Sequence, residues 1–522
     1  MKHSHSLLAR LLACLAVLGL AGAAYAVPSV YPTGTVKYDP SKAYGGYLLI
    51  GYEVPRLLDM NGNLVKEWPG YSGFPNKVLP GGRLITTTEA WKDGQQDMLS
   101  VLELDFNGDK VWEFRNWQQV PAIDGQPQEN GKTWIARQHH DFQRKGTPVY
   151  AVPGQSDGKG QPTLVLGHCN ERNERINKNL QLVSDVFYEV STDGKILWQW
   201  KPSDHLDELG FDQEAFKAMQ SYPPADNPVA GRHSASAKPG GGYDWLHVNC
   251  LSYVGPNHWY DEDAVKYAAF NPDNVLFNSR DANFMAIVDR KSGKIVWRLG
   301  PDFKPGSDNA KVGQIIGAHG AHMIPKGLPG AGNLLFFDNG GTAGYGAPNP
   351  AAPLTGFHNV KRDYSRVVEF NPVTKDIVWD YDWYKNHKGT LGHFGFKFFS
   401  PFVSYAQRLP NGNTMITEGD MGRVFELTPS YENVWEFLTP YNPDGTLYRT
   451  YRVPYDWFPQ IAKPEEVPVT PPANGLFQVP NDKGQYATTG VKGKVVKVNA
   501  AGASSAATEK RVDDQPQGMH SY

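Results

Sequence analysis

The sequence predicts an all-β fold, a six-bladed β-propeller with loop insertions on the active-site face. Three observations support this prediction. Aromatic residues make up 12% of the 522 residues and charged residues only 20%, beside 54 Gly and 40 Pro. This composition is typical of short strands joined by tight turns, and it excludes disordered chains and coiled coils. A Trp-bearing hairpin also recurs along the chain, and a strand–turn–strand pattern precedes several of its copies.

The recurring hairpin is a polar turn followed by a β-branched residue, Trp and an alternating partner. Its five clear copies are LDFNGDKVWEF ending at Phe114, VSTDGKILWQW ending at Trp200, VDRKSGKIVWRL ending at Leu299, FNPVTKDIVWDY ending at Tyr381 and LTPSYENVWEF ending at Phe437. A sixth, weaker copy, LLDMNGNLVKEW, has Lys66 at the Trp position. The Asn-Gly and Asp-Gly pairs favour hairpin turns. Copies about 46 residues apart, as from Lys66 to Trp112, have the spacing of a four-stranded blade, so six copies predict six blades.

A second pattern precedes several of these hairpins, in which an apolar run leads through Pro and Gly into another apolar run. Its examples are NKVLPGGRLITTT from Asn76, GAHMIPKGLPGAGNLLFFDNG from Gly320 and AQRLPNGNTMITEGD from Ala406. One repeat is therefore expected to be an inner strand, a middle strand and an outer hairpin. Wider spacing predicts insertions around 115–135, 201–240, 253–270 and 341–362, gathered on one face as a binding rim.

The two ends of the chain have compositions unlike the repeats. Residues 1–26 have the features of a secretory signal, with a positive start, an apolar run over 11–20 and the sequence Ala-Tyr-Ala before the cleavage point. Residues 501–522 are poor in apolar side chains and are expected to be a disordered tail. The propeller is thus assigned to 27–500. We expect a periplasmic or secreted protein with no membrane anchor after signal removal, and the net charge of −3 predicts no nucleic-acid partner.

Cysteine usage leaves two alternatives open. Cys14 belongs to the signal, which leaves Cys169 and Cys250 in the mature chain. In an oxidising compartment this pair permits one disulfide. Two small buried thiols are an equally good interpretation.

Three of the 15 histidines share one position in the repeat, at the start of an inner strand. They are His140 in ARQHHDF, His247 in DWLHVNC and His319 in HGAHMIPKG. Residues at equal positions in different blades meet at the central channel, so these rings are expected to lie close together. Phe74 and Ser404 occupy the same position in other repeats, which confines the cluster to three successive blades. A cluster of titratable groups in a channel favours a functional site over the alternative of solvated polar residues.

Further polar residues are expected beside these histidines. Arg280, in NVLFNSRDANF, follows His247 on the next strand of the same blade, and its guanidinium suits an anionic substrate. A fixed cation there argues against a metal. Asp338 and Asn339 end what the pattern predicts to be another inner strand, where they either orient a histidine or form a turn.

Several of these motifs resemble the bacterial arylsulfotransferases, the exported aryl-sulfate sulfotransferases that do not use phosphoadenosine phosphosulfate. The resemblance is carried by DWLHVN, NSR, IVDRKSGKIVWRLG, AHGAH followed by LLFFDNGG, and LPNGNTMITEGDMGRVFEL, in the family's order, from about residue 44 to about residue 440. It implies a six-bladed propeller and ping-pong transfer of a sulfuryl group from a phenolic sulfate to a phenol. It also implies no cofactor and no metal.

The resemblance assigns roles to individual residues. The transiently sulfated histidine falls on His319, with His322 as the competing candidate. The family's other catalytic positions fall on His247, Arg280 and His140, which is chosen over His139 because an aspartate follows it directly. The residues expected to contact substrate are Asn249, His322, Asp338 and Asn339.

The expected mechanism follows from these roles. Neutral His319 attacks sulfur, Arg280 and His247 hold the sulfuryl oxygens, and His140 exchanges a proton with the phenols. The partners are then an aryl sulfate donor and a phenol acceptor. The N-terminal β-sandwich domain of some members is missing and the segment between His247 and Arg280 is longer. The first difference leaves the geometry of an expected homodimer undetermined. The second leaves the specificity for donor and acceptor undetermined.

Three rival interpretations have distinct sequence grounds. A quinoprotein dehydrogenase shares the Trp hairpin but needs more blades and usually a vicinal cysteine pair. A metal enzyme would use His140, His247 and His319 as ligands, which three imidazoles permit. A non-catalytic propeller that binds a ligand is the third, because a fold does not fix a function.

Overall fold

The computed structural model describes residues 33–52, 54–88, 96–121, 128–221, 241–346, 360–383, 398–441 and 445–471. Within these ranges the chain forms six antiparallel sheets of four or more strands, arranged as a six-bladed β-propeller. The predicted fold class is confirmed. The proposed signal at 1–26 and the tail at 501–522 lie outside the described residues.

The strands are short and follow one another along the chain. The first eleven are β1 (Gly34–Tyr38), β2 (Tyr47–Ile50), β3 (Arg56–Leu58), β4 (Leu64–Glu67), β5 (Ser72–Leu79), β6 (Arg83–Thr87), β7 (Val101–Leu104), β8 (Lys110–Phe114), β9 (Trp117–Pro121), β10 (Lys132–Ala136) and β11 (Gln138–Arg144). The next eight are β12 (Thr163–Asn173), β13 (Asn177–Val190), β14 (Ile196–Trp200), β15 (Tyr243–Asp244), β16 (Val248–Tyr253), β17 (Val275–Ser279), β18 (Phe284–Val288) and β19 (Ile295–Leu299). The last nine are β20 (His319–Met323), β21 (Leu334–Asp338), β22 (Arg366–Phe370), β23 (Ile377–Tyr381), β24 (Tyr405–Arg408), β25 (Thr414–Glu418), β26 (Arg423–Leu427), β27 (Asn433–Leu438) and β28 (Tyr451–Val453).

Each blade runs from an inner strand at the channel to an outer strand at the rim. Numbered around the ring, the blades are I (β28-β2-β3-β4), II (β5-β6-β7-β8), III (β11-β12-β13-β14), IV (β16-β17-β18-β19), V (β20-β21-β22-β23) and VI (β24-β25-β26-β27, with β1 at its outer edge). Blade I takes its inner strand from the C-terminal part of the chain and its other strands from the N-terminal part. The two ends of the chain therefore close the ring together.

The recurring hairpin forms the third and fourth strands of every blade, as predicted, and in blade VI β1 is added outside it. Three of its tryptophans use the indole N–H to bind the next blade. The Trp297 indole N–H donates to the Pro372 carbonyl at 2.8 Å, and that carbonyl belongs to the outer turn of the next blade. The indoles of Trp379 and Trp435 do the same to Pro429 and Met60. These hydrogen bonds join consecutive blades, so they act across the seams of the ring.

Two expectations about the blades are wrong. The strand that ends at Asp338, β21, is the second strand of blade V and not its inner strand, which is β20. The insertion expected around 253–270 joins the first strand of blade IV to the second, because Tyr253 pairs with Val275 across the ladder. Antiparallel strands place that connection at the opposite end of the blade from His247, so it does not border the histidines.

Among the described residues, helices are few and lie in the segments that connect strands. They comprise α1 (Gln213–Gln220), α2 (His258–Glu262) and short 3₁₀ turns at Pro202–His205, Ala268–Phe270, Asp308–Lys311 and Tyr455–Trp457. None of the helices among the described residues has the length and apolar character needed to cross a bilayer. The apolar core lies between the faces of neighbouring blades. One cluster joins Leu251 and Phe277 of blade IV to Phe187 of blade III.

The seam hydrogen bond of Trp435 gives a stability prediction. Trp435→Phe removes a fully buried indole N–H and leaves the Met60 carbonyl without that donor. We expect a loss of about 1–3 kcal/mol in the free energy of unfolding, measured by urea denaturation. Trp112→Phe is the matched control, because the Trp112 indole N–H has no hydrogen-bond partner in the described structure. An equal loss in both variants would contradict the seam assignment.

Candidate active site

The three histidines singled out by the repeat meet at the channel, as the propeller geometry predicts. His319 is the first residue of β20, His140 lies near the start of β11, and His247 immediately precedes β16. The rings of His140 and His247 are 4.8 Å apart between centroids, and all three residues are buried. His140 and His247 both have left-handed backbones, with φ of 49° and 48°. Such conformations cost about 1–3 kcal/mol each and cluster at functional sites.

The environment of His319 fixes which of its nitrogens carries the proton. The Asn339 side-chain NH₂ group donates to the carbonyls of Ser400 and Val403, at 2.7 and 2.9 Å, so its Oδ1 must face His319. His319 Nδ1 lies 2.7 Å from that oxygen and therefore donates to it. The Val403 backbone N–H in turn donates to Nε2 at 3.2 Å. His319 is thus a neutral imidazole with its lone pair on Nε2.

Burial keeps the rings of His319 and His140 uncharged. Burial, and then the nearby charge of Arg280, hold the pKa of His319 well below its ordinary value. Burial, and then the ring of His247, do the same for the pKa of His140. Both rings are therefore neutral at neutral pH, and a neutral imidazole is the nucleophilic form.

Arg280 and His247 each have an aspartate partner. Arg280 follows β17, and its Nη1 donates to Asp281 at 2.5 Å, while its backbone N–H donates to the His247 carbonyl at 3.2 Å. His247 Nδ1 lies 2.6 Å from Asp244, which also accepts the His247 backbone N–H. Burial opposes ionisation of Asp244, but the His247 ring holds its pKa below the ordinary value. These pairs fix a guanidinium and an imidazole Nε2 beside His319.

Of the other predicted site residues, one contacts His319 and two are bound to other parts of the protein. Asn339 contacts His319 directly, whereas both carboxylate oxygens of Asp338 already have partners, namely Arg366, Arg362 and the Ile316 backbone N–H. Asn249 accepts from Asn278 and donates to the Ala318 carbonyl, which braces blade IV against blade V. Asn249 and Asp338 are thus held by protein contacts, and their predicted roles in binding substrate stay predictions.

His322 lies apart from the cluster that contains His319. Its ring stacks on Tyr405 at 5.3 Å between centroids and meets the edge of Tyr150. Gly320, with φ of 66°, separates the two histidines, and a Cβ there would lie 2.3 Å from Tyr405. This turn of the backbone sends the two side chains into different surroundings.

Sequence reasoning missed several charged residues around the channel. Asp141, whose position after His140 favoured that histidine, does not contact it. Its carboxylate binds Lys77 at 2.8 Å and Arg449 at 2.9 Å, which ties blade III to blades II and I. Lys77 and Arg449 come from repeats without a histidine, so the repeat gave no signal for them. Asp244 is the exception, since it lies three residues before His247 in the sequence.

Three more buried residues of blade III, His139, His168 and Asp185, lie next to His140. His139 Nδ1 lies 2.8 Å from His140 Nδ1, and His139 stacks on His168 at 3.5 Å between centroids. Asp185 lies beside both, and burial, followed by the charge of Asp244, raises its pKa well above the ordinary value.

Cys169 and Cys250 are free thiols, and Cys250 Sγ donates to the Ala321 carbonyl at 2.9 Å. The disulfide alternative is therefore not adopted.

Comparison with known proteins identifies one family. The model of the family described as "Arylsulfotransferase (ASST)" matches residues 157–436, which is more than half of the chain. The matched region contains His247, Arg280 and His319 and ends before blade I is closed. No curated protein matches the sequence significantly.

Solved structures resemble this chain at low identity. A protein of unknown function from Bacteroides caccae shares 10% identity, with 78% of this chain and 98% of that chain covered, at a TM-score of 0.38. Virginiamycin B lyase from Staphylococcus aureus shares 11% identity, with 79% of this chain and 90% of that chain covered, at a TM-score of 0.29. AztD from Citrobacter koseri shares 8% identity, with 78% of this chain and 98% of that chain covered, at a TM-score of 0.31. We draw no functional conclusion from these likenesses.

The buried neutral histidines predict acid sensitivity. The pKa values of His139, His140, His319 and His322 are all lowered, that of His322 to about 4, first of all by burial. Below about pH 6.5 the histidines of the unfolded chain bind protons, whereas these four rings stay neutral in the folded chain. The free energy of unfolding is therefore highest above that pH and decreases below it. Each ring contributes a loss of up to about 1.4 kcal/mol per pH unit.

The measurement is the free energy of unfolding in urea between pH 7 and pH 5. We expect a steep decline below about pH 6.5, and a shallower one in His322→Gln, which removes one of the four titrating rings. A free energy that stays constant over this range would contradict the prediction.

Proposed function

This chain belongs to the arylsulfotransferase (ASST) family, and from that premise we propose that it transfers a sulfuryl group from an aryl sulfate ester to a phenol through a sulfated His319. The family supports aryl sulfotransfer in general. The ping-pong course, the independence from phosphoadenosine phosphosulfate and the periplasmic or secreted location are our proposals. The observation that supports the mechanism is the neutral His319, whose Nδ1 donates to Asn339 and whose Nε2 lone pair accepts only the long hydrogen bond from the Val403 N–H.

The first half-reaction forms a nitrogen–sulfur bond. His319 Nε2 attacks sulfur while the bond from sulfur to the aryl oxygen breaks, and the phenolate departs with the bonding electron pair. The Nδ1 proton stays on the sulfated ring, where Asn339 Oδ1 accepts its hydrogen bond. His140 is neutral, so it donates a hydrogen bond to the departing phenolate, which takes up its proton from the solvent.

The second half-reaction reverses these roles. Neutral His140 takes the hydroxyl proton of the acceptor phenol, whose oxygen attacks the same sulfur, and then releases that proton to the solvent. The nitrogen–sulfur bond breaks, and its electron pair returns to Nε2 of His319. Both histidines are restored, and no group other than donor and acceptor is consumed.

Charge on the transferring group is met by fixed donors. Arg280 and His247 lie beside His319 and would hold the sulfuryl oxygens. The Val403 N–H, which donates to Nε2 in the resting site, is freed when that nitrogen binds sulfur, and it can then serve a sulfuryl oxygen. Loss of one such donor costs about 3–4 kcal/mol of barrier.

The direct test follows release of nitrophenolate from 4-nitrophenyl sulfate with phenol as acceptor. We expect turnover by the full chain and a loss on the order of 10⁴-fold or more in His319→Ala, because the nucleophile is removed. Donor alone, quenched within one turnover, should add one SO₃ group to the peptide that carries His319. Activity retained in His319→Ala, or the added group on His322, would overturn the mechanism.

The hydrogen bond from His319 to Asn339 predicts a shift in the pH profile. In wild type the rate of nitrophenolate release should stay level as the pH falls through 6.5, because the His319 pKa lies well below that value. Asn339→Asp places a negative charge 2.7 Å from Nδ1, raises the His319 pKa and moves the acid limb up by about one pH unit or more.

Asn339→Ala is the control for charge. It removes the acceptor that fixes the tautomer, so the rate should fall at every pH without an upward movement of the acid limb. An acid limb in Asn339→Asp at the wild-type position would contradict the assigned hydrogen bond.

A further inference from the structure

Behind His140, three buried side chains of blade III converge on one point. We call them the blade III cluster, which consists of His139 on β11, His168 on β12 and Asp185 on β13. His168 and Asp185 face each other directly across the β12–β13 ladder. The side chains of His139 and Asp185 are fully buried, and that of His168 is 1% exposed. None of the three has a role in the transfer mechanism above.

The converging atoms lack hydrogen-bond partners. His139 Nε2, His168 Nε2 and Asp185 Oδ1 are buried, and none of them has a partner in the described structure. Asp185 Oδ1 lies 3.4 Å from the first nitrogen and 4.0 Å from the second. A buried polar atom without a partner costs about 1–3 kcal/mol, so three at one point indicate a missing occupant.

The opposite nitrogen of each ring is already occupied. His168 Nδ1 lies 2.8 Å from Asp97 Oδ1, and His139 Nδ1 lies 2.8 Å from His140 Nδ1. Engagement of Nδ1 leaves the Nε2 lone pairs directed at the common point. A histidine held by a carboxylate at one nitrogen and open at the other is the usual arrangement around a bound metal.

The charges around Asp185 also favour a bound cation. Two neighbouring carboxylates have positive partners, since Asp97 faces Arg137 and Asp281 faces Arg280. A third, Asp244, is hydrogen-bonded to the His247 ring. Asp185 has no lysine or arginine within ion-pair distance among the described residues, and its ion-pair neighbours are the two cluster histidines. A buried carboxylate in this position is stabilised by a bound positive ion.

We propose that the blade III cluster binds one divalent transition-metal ion through His139 Nε2, His168 Nε2 and the Asp185 carboxylate. Two imidazoles and one carboxylate suit zinc and its neighbours in the first transition row. Tetrahedral bonds of about 2.0–2.1 Å place ligand atoms about 3.3 Å apart, close to the smaller observed separation. The rings are 11° from parallel, so they must fan apart for both lone pairs to reach the ion.

A metal here would set the proton on His140. With Nε2 of His139 bound, the proton of that neutral ring sits on Nδ1 and is donated to His140 Nδ1. The His140 proton is then on Nε2, the nitrogen available to a leaving phenolate. This consequence rests on the proposed function, whereas metal binding does not, and it makes His139 a positioning residue.

The test measures metal in the folded chain and does not depend on turnover. Because the site is buried, the full chain is produced in minimal medium with added Co²⁺, purified, and examined by elemental analysis and visible absorption. We expect about one cobalt per chain, with d–d absorption bands from a site of low coordination number. His168→Gln and Asp185→Asn should lose the bands and at least about tenfold in metal content.

His322→Gln is the matched control, since it also removes a buried histidine whose Nε2 lacks a partner, and it should retain the metal. His319→Ala should retain it as well, which separates this proposal from the catalytic one. Thermal melts establish that each variant is folded. A folded wild type without stoichiometric cobalt, retention of the bands in Asp185→Asn, or their loss in His319→Ala would overturn the proposal.

Discussion

The hydrogen bond between His319 and Asn339 is the interaction on which the site depends. Asn339 cannot rotate its amide, because its NH₂ group is held by the carbonyls of Ser400 and Val403 at the entrance to blade VI. The tautomer of His319 is therefore decided by the backbone of a neighbouring blade. The packing of blade V against blade VI thus determines which nitrogen of His319 carries the lone pair, so this seam also sets the geometry of the proposed site.

The sequence predicts the fold and the meeting of three histidines at the channel because both follow from periodicity. A hairpin that recurs six times specifies blades, and a ring brings equal positions together, so His140, His247 and His319 could be placed on one channel without coordinates. The same reasoning mislabelled the strand ending at Asp338, since consecutive apolar strands of one blade look alike in composition. It also put the 253–270 insertion at the wrong end, because composition does not show which strands a loop connects.

Residues that act through cross-strand or cross-seam contacts left no pattern to find. His168 and Asp185 are partners across a ladder whose register depends on the turn between β12 and β13. Lys77 and Arg449 reach Asp141 from two other blades. Buried polar groups are expensive without partners, so these residues are informative only when their neighbours are known. The contact of the Val403 backbone N–H cannot be predicted from residue type, because every residue other than proline has such a group.

Blade I, built from both ends of the chain, has a consequence for when the site becomes complete. Just before β28, the Tyr448 hydroxyl donates to the carbonyls of His140 and Asn249, and its ring stacks on Phe74 at 4.0 Å. Chains emerge from the ribosome N-terminus first, so these contacts form last. In a nascent chain His140 and Asn249 are therefore present before Tyr448, their hydrogen-bond donor, has been synthesised.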